Sequence, residues 1–148
     1  MSGNKLNRIA DTEIYTKCAR GNSGRVYLLC GGVNYSGPEI TSADYKILIY
    51  SLVPETRLEK VIYITEEILG HLCSSMTFQL SEDEKWLYLF DSVSIWIYSI
   101  YENEIIFQHT FQSEYIQNIF AEKSFVITSI TSHEPQKEHK VTGWEIEI

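Results

Sequence analysis

This 148-residue chain lacks long apolar segments, and that absence removes membrane-spanning proteins from consideration. Its apolar runs, such as Val26–Cys30, are far shorter than the roughly 20 residues that a membrane helix needs. No basic stretch followed by an apolar core opens the sequence, so we expect no secretory signal. We therefore expect no membrane span and a location in the cytoplasm or nucleus.

Cysteine and basic residues are also scarce. The three cysteines, Cys18, Cys30 and Cys73, are odd in number and form no C-x-x-C pair, which suits a reducing compartment. Twelve basic residues stand against 20 acidic ones, for a net charge of −8. Binding to a phosphate backbone needs clustered cations, and here the few are scattered. We expect no direct contact with nucleic acid.

Proline and glycine number only three and eight, which excludes collagenous and disordered compositions. What the chain has instead is ten tyrosines and many isoleucines, residues that favour strands over helices. A chain of this length forms one ordinary domain that buries roughly two-thirds of its unfolded surface. The composition therefore predicts a single all-β domain.

Three short apolar segments with an aromatic fifth residue recur along the sequence: Lys46–Leu52, Ser94–Ile100 and Lys140–Ile146. The aromatic residues are 48 and 46 residues apart. This period is typical of four-stranded propeller blades, so the chain is predicted to hold about three antiparallel blades that form an incomplete ring.

Strands and turns can be assigned within each unit. The units span about 14–64, 70–111 and 115–148, and an N-terminal arm, 1–13, is available to supply an edge strand. We predict strands at 13–19, 26–30, 46–52 and 58–64, then 75–80, 85–90, 93–100 and 105–111, then 116–120, 124–130 and 141–148. The third unit is one strand short. Two polar insertions, Gly31–Ala43 and Thr131–His139, are predicted to be loops.

Two segments also suit helices. Thr65–Gly70 has a threonine cap, early acids and a terminal glycine, so it fits one helical turn. Residues 115–120 have an amphipathic spacing that fits a helix as well as a strand. The signature strands are apolar on both faces, which favours burial between neighbouring blades.

At these positions the chain resembles the WD-repeat β-propeller family. Gly70-His71 is similar to the dipeptide before a repeat's first strand, and Asp91 stands at the family's turn aspartate. Tyr50 and Tyr98, each followed by serine, stand where the family has Trp-Asp, and Trp144-Glu145 is closest to that dipeptide. The resemblance implies a propeller fold and partner docking on loops.

Three blades cannot close a ring, since propellers use about four to eight. We therefore expect a protein partner, either a second copy that completes a six-bladed ring or a different chain in a hetero-complex. A single closed β-barrel that binds a small molecule is the alternative fold and function.

No catalytic, metal or cofactor site is expected. His133-Glu134 and His139 miss the H-E-x-x-H spacing, and Pro135 forbids a regular helix there. The run Glu82–Glu84 fits a solubilising turn without acid–base work.

Loops on a rigid scaffold often carry function, so the two insertions are the predicted partner-binding surfaces. The function we expect is that of a non-catalytic interaction scaffold or adaptor subunit. The candidate contact residues are Tyr35, Pro38, Glu39, His133, Glu134 and Lys137.

Overall fold

The computed structural model describes residues 15–71, 75–112, 114–122, 125–132 and 139–145. These residues form strands and one short helix, α1, at Glu66–Leu69. The strands are β1 Tyr15–Arg20, β2 Val26–Ser36, β3 Glu39–Ser51, β4 Arg57–Ile64, β5 Thr77–Leu80, β6 Trp86–Phe90, β7 Ser94–Ser99, β8 Glu104–Thr110, β9 Glu114–Glu122, β10 Phe125–Ser132 and β11 His139–Glu145.

The strands form three antiparallel sheets in chain order. The first sheet is β1-β2-β3-β4, the middle sheet is β5-β6-β7-β8, and the third has the order β9-β10-β11. The prediction of an all-β chain with two four-stranded antiparallel meanders is confirmed. Each sheet is open across the described residues, so the strands do not form the single closed barrel that we considered as an alternative.

The middle sheet is buried on both faces. All six residues of β7 are buried, as the apolar sequence of this strand predicts. Trp96 and Tyr98 point into a core shared with the first sheet, whereas Ile95 and Ile97 belong to a second cluster. That second cluster contains Ile116, so β9 of the third sheet contacts the opposite face of the middle sheet. Alternation along one strand thus supplies two separate cores.

Helix α1 joins the first sheet to the middle sheet. The hydroxyl of Thr65 accepts the N–H of Ile68, and Gly70 ends the helix with a φ of 80°. This left-handed conformation suits glycine because it has no Cβ. The helical turn expected at Thr65–Gly70 is therefore present, whereas the helical alternative for residues 115–120 is wrong, since they lie in β9.

The insertion Gly31–Ala43 is a β-hairpin, and the prediction of a loop is wrong there. Strands β2 and β3 continue through it, and Ser36 pairs with Glu39 across a turn at Gly37-Pro38. Backbone pairing satisfies polar groups that a loop would leave to water, so a polar sequence can still form a ribbon. The second insertion lies largely outside the described residues.

Glu84 links the first and middle sheets at the β1–β2 and β5–β6 turns. Its carboxylate accepts the N–H of Ser23 at 2.7 Å, the hydroxyl of Ser23 at 2.6 Å and the hydroxyl of Tyr27 at 2.9 Å. Burial raises the pKa of this carboxyl, but the hydrogen bonds and the charge of Arg25 outweigh burial and leave the pKa below its ordinary value. We name Glu84, Ser23 and Tyr27 the Glu84 clamp.

Glu84→Gln should lower the free energy of unfolding by about 1.5–3 kcal/mol at pH 7, because charge-assisted hydrogen bonds are lost. A carboxyl with a depressed pKa stabilises the fold above its unfolded pKa and stops doing so as the pH falls. The difference between wild type and variant should therefore shrink below about pH 4.5, the ordinary value. Urea denaturation across this pH range measures it, with exposed Glu82→Gln as the control.

Gly21 provides an independent check of the same contact. A Cβ at Gly21 would overlap the carboxylate of Glu84, so Gly21→Ala should displace that group and destabilise the fold. In a Glu84→Ala background the same substitution should be nearly neutral. Additive effects of the two substitutions would contradict the clamp.

Candidate protein-interaction surface

The β2–β3 hairpin, the β4–β5 connection and the β6–β7 turn lie at one end of the sheets, which we name the hairpin end. Here β2 and β3 extend beyond their neighbours. The pairing of β1 with β2 reaches Cys30, and the pairing of β4 with β3 reaches Tyr45, whereas the hairpin continues to its turn at Gly37-Pro38. The predicted contact segment therefore projects as a two-stranded ribbon.

Three of the predicted contact residues are at the ribbon tip. Tyr35 pairs with Ile40 next to a register shift, and Pro38 and Glu39 are exposed. The other three, His133, Glu134 and Lys137, lie outside the described residues. The structure thus places one half of the predicted surface at a projecting tip.

Gly31 forms the base of the ribbon. Its φ is 111°, which L side chains rarely adopt, and a Cβ there would overlap the backbone oxygen of Asp44 on β3. The two strands approach closely at this point because residue 31 is glycine. The direction in which the ribbon leaves the sheet depends on this residue.

His71 and Asp91 meet at the hairpin end, although they are separated by 20 residues. Nε2 of His71 lies 3.2 Å from Oδ2 of Asp91, whose side chain is only 7% exposed. The other oxygen of Asp91 accepts the N–H groups of Val93 and Ser94. His71 and Asp91, both part of the repeat signature in the sequence analysis, are therefore in contact.

Trp96 connects the middle sheet to α1. Its Nε1 donates to the carbonyl of Leu69 at 3.2 Å, and Nε2 of Gln108 donates to the same oxygen at 3.2 Å. Carbonyls at the end of a helix lack partners within the helix, so these side chains supply them. The ring of His71 packs against Trp96 with centroids 5.2 Å apart. His71 and Asp91 therefore lie next to the buried Trp96.

Tyr50 and Tyr98 occupy equivalent places in the first two sheets. Each lies at a register shift between the third and fourth strand of its sheet. The serine that follows each tyrosine stabilises the next turn: Ser51 donates to the carbonyl of Val53, and Ser99 accepts the N–H of Glu102. Trp144 and Glu145 lie in β11, where Trp144 pairs with Val126 and Glu145 pairs with Phe125. The structure describes the backbone of these two residues but not their side chains.

The first sheet has a second apolar face, in agreement with the sequence of β3, which is apolar on both faces. Side chains such as Ile47 and Ile49 point into the core shared with the middle sheet, so Leu48 and its neighbours point away from it. Cys18, Leu28, Leu48 and Val61 follow one another across the four strands in register. We name this the outer face; its residues are Cys18, Arg20, Val26, Leu28, Cys30, Lys46, Leu48, Tyr50, Leu58, Glu59, Val61 and Tyr63.

The outer face is buried at its centre and exposed at its rim. Leu48 is 7% exposed, whereas Leu58 and Tyr63 are 46% and 64% exposed. Burial raises the pKa of the Cys30 thiol, which makes it a poor nucleophile. The outer face also has charged residues: Arg20, Lys46 and Glu59, which alternates with Val61 along β4 and is paired with Arg25.

No group of three or more metal-ligating side chains converges among the residues that the structure describes. Within the same residues, no helix has the length and apolar character that crossing a membrane requires. Comparison with models of known protein families, with curated proteins and with solved structures found no match to this chain.

Proposed function

We propose that this chain is a non-catalytic interaction scaffold or adaptor subunit of an intracellular complex, where it docks onto or completes a propeller assembly. The observation that carries the proposal is the outer face of the first sheet. An apolar sheet face with exposed rim residues such as Tyr63 is typical of protein-interaction sites.

The middle sheet indicates how the outer face is used. One of its faces packs against the first sheet through buried aromatic and aliphatic side chains, and the other face contacts Ile116 of β9. The outer face has aliphatic residues at its centre, Leu28, Leu48 and Val61, on strands in the same order, so a further sheet is the partner that fits it. The resemblance to WD-repeat proteins and the His71–Asp91 contact support treating each sheet as a blade.

The sheet that covers the outer face comes from a second copy, which gives a six-bladed ring, or from a different propeller-bearing chain. The ribbon tip with Tyr35, Pro38 and Glu39 adds a second contact at the hairpin end. A net charge of −8 disfavours nucleic acid as the direct partner.

Sedimentation of the purified chain at micromolar concentration tests the proposal. We expect a dimer, or a monomer that forms a stoichiometric complex with a protein co-purified from its native source. Tyr63→Lys places a charge on the outer face and should weaken either association at least tenfold.

Tyr101→Lys is the matched control for this experiment. Tyr101 is 90% exposed in the β7–β8 turn, away from the outer face, so its substitution should leave the association unchanged. A stable monomer without a stoichiometric partner, or equal effects of the two substitutions, would rule out the proposed role of the outer face.

A further inference from the structure

The β1–β2 turn carries an exposed serine whose hydroxyl is part of the Glu84 clamp. Ser23 is exposed, and both its hydroxyl and its N–H donate to Glu84, at 2.6 and 2.7 Å. Its oxygen also accepts the N–H of Arg25 at 3.3 Å. A group that solvent can reach therefore belongs to a contact that joins two sheets.

Two arginines flank this serine in the sequence. Arg20 is three residues before Ser23 and Arg25 is two residues after it, and both are exposed. Protein kinases that recognise basic sites pair their own acidic residues with arginines near the acceptor serine, which is electrostatic complementarity. Gly24 follows Ser23 with a φ of 87° and open space around it, so the turn leaves room on that side.

We propose that Ser23 is a phosphorylation site for an arginine-directed protein kinase, and that its phosphorylation opens the Glu84 clamp. In this step the oxygen of Ser23 attacks the γ-phosphorus of Mg-ATP. The bond from that phosphorus to the β,γ-bridging oxygen breaks and ADP leaves. The hydroxyl proton passes to the base of the kinase, so atoms and charge balance.

The product cannot keep the clamp closed. A phosphorylated Ser23 has no hydroxyl proton to donate to Glu84, and its phosphate brings about −1.5 to −2 charges next to that carboxylate. Glu82 and Asp83 lie in the same turn as Glu84 and add to the repulsion. Lys85 is also in that turn, but its ammonium lies 3.9 Å from the carboxylate of Asp83.

The cations able to receive the phosphate are on the other side of the contact. Arg20 is exposed at the end of β1, and Arg25, whose Nε lies 2.5 Å from Glu59 of β4, has further guanidinium N–H donors that can bind a phosphate. A phosphate held by these arginines stays with the first sheet, whereas Glu84 is displaced with the middle sheet. Modification therefore separates the two turns that the clamp joins, whichever partner the protein serves.

The first arm of the test asks whether Ser23 is modified in the folded full-length chain. The purified protein is incubated with an arginine-directed serine kinase and Mg-ATP, and the site is mapped by mass spectrometry. We expect phosphate on Ser23, a rate at least tenfold lower in Arg20→Gln, and none at this position in Ser23→Ala. Failure to modify Ser23 overturns the proposal.

The second arm measures the consequence without a kinase. Phosphoserine is placed at position 23 by genetic encoding, and amide exchange is followed by NMR. The amide of Ser23, which donates directly to Glu84, should exchange at least tenfold faster. Phosphoserine at exposed Ser36, at the opposite end of the first sheet, is the control and should leave the exchange rate of the Ser23 amide unchanged. Unchanged exchange in the Ser23 form overturns the proposal.

Discussion

Trp96→Ala should lower the free energy of unfolding by about 3–5 kcal/mol, the range for removing a fully buried aromatic side chain. Trp96 is 0% exposed and lies in the core between the first and middle sheets. Its removal leaves a cavity and takes away one of the two side-chain donors to the carbonyl of Leu69. Urea denaturation followed by circular dichroism measures the loss.

Trp96→Phe keeps most of the aromatic packing. It removes the N–H that bonds the carbonyl of Leu69 and leaves a smaller void than alanine does, so a loss of about 1–3 kcal/mol is expected. Trp86→Ala is the matched control, because Trp86 is only partly buried and packs on the other cluster. A loss below about 1 kcal/mol for Trp96→Ala would contradict its placement between the sheets.

The middle sheet is the part of the fold that the sequence predicts best. Its strands β5 to β8 lie within two residues of the predicted bounds, and Ser81–Glu84 forms the predicted turn. Turn residues and apolar runs act over a few neighbouring positions, so both are visible locally. The four strands are also short, so their predicted ends cannot be far from the observed ones.

The ribbon could not be predicted in the same way. The sequence from Gly31 to Ala43 is polar and rich in turn residues, which are the signals of a loop. Its strand character comes from pairing, such as that of Tyr35 with Ile40, and from a positive φ at Gly31. Neither the strand pairing nor the positive φ can be recognised from a few neighbouring residues of the sequence.

The contacts of His71 and Glu84 also differ in how far they can be predicted from the sequence. His71 and Asp91 were found through a family resemblance, which already carries long-range structural information. The Glu84 clamp was missed, because an acidic turn ordinarily is a solvated surface. The partners of Glu84 are Ser23 and Tyr27, 61 and 57 residues away in sequence, so the contact is visible only in the structure.

The sequence indicates that β3 is apolar on both faces, but it does not indicate which residues form the outer face. Ile47, Leu48 and Ile49 are all apolar, so the sequence does not tell which of them face the shared core. In the structure Ile47 and Ile49 belong to that core and Leu48 does not. An uninterrupted apolar run predicts burial on both sides but not which element covers each side.

Gly31→Ala should lower the free energy of unfolding by about 3 kcal/mol or more, because backbone strain and overlap act together. At a φ of 111°, the new Cβ would overlap the backbone oxygen of Asp44 and lie 2.9 Å from Cα of Tyr45. These are backbone atoms of the paired strand β3, so relief requires breaking strand pairing. Chemical denaturation measures the loss, and amide exchange along β2 and β3 shows whether pairing is lost.

Gly24→Ala and Gly37→Ala are matched controls for this substitution. Both glycines have a positive φ, 87° and 61°, but nothing lies within 4 Å of the Cβ that alanine would add. Each should therefore show only the conformational penalty of about 1 kcal/mol. Equal losses at all three positions would mean that the strands do not approach closely at Gly31.

Because Gly37 is at the tip and Gly31 at the base, loss of partner binding in Gly31→Ala alone would indicate that the direction of the ribbon matters for binding.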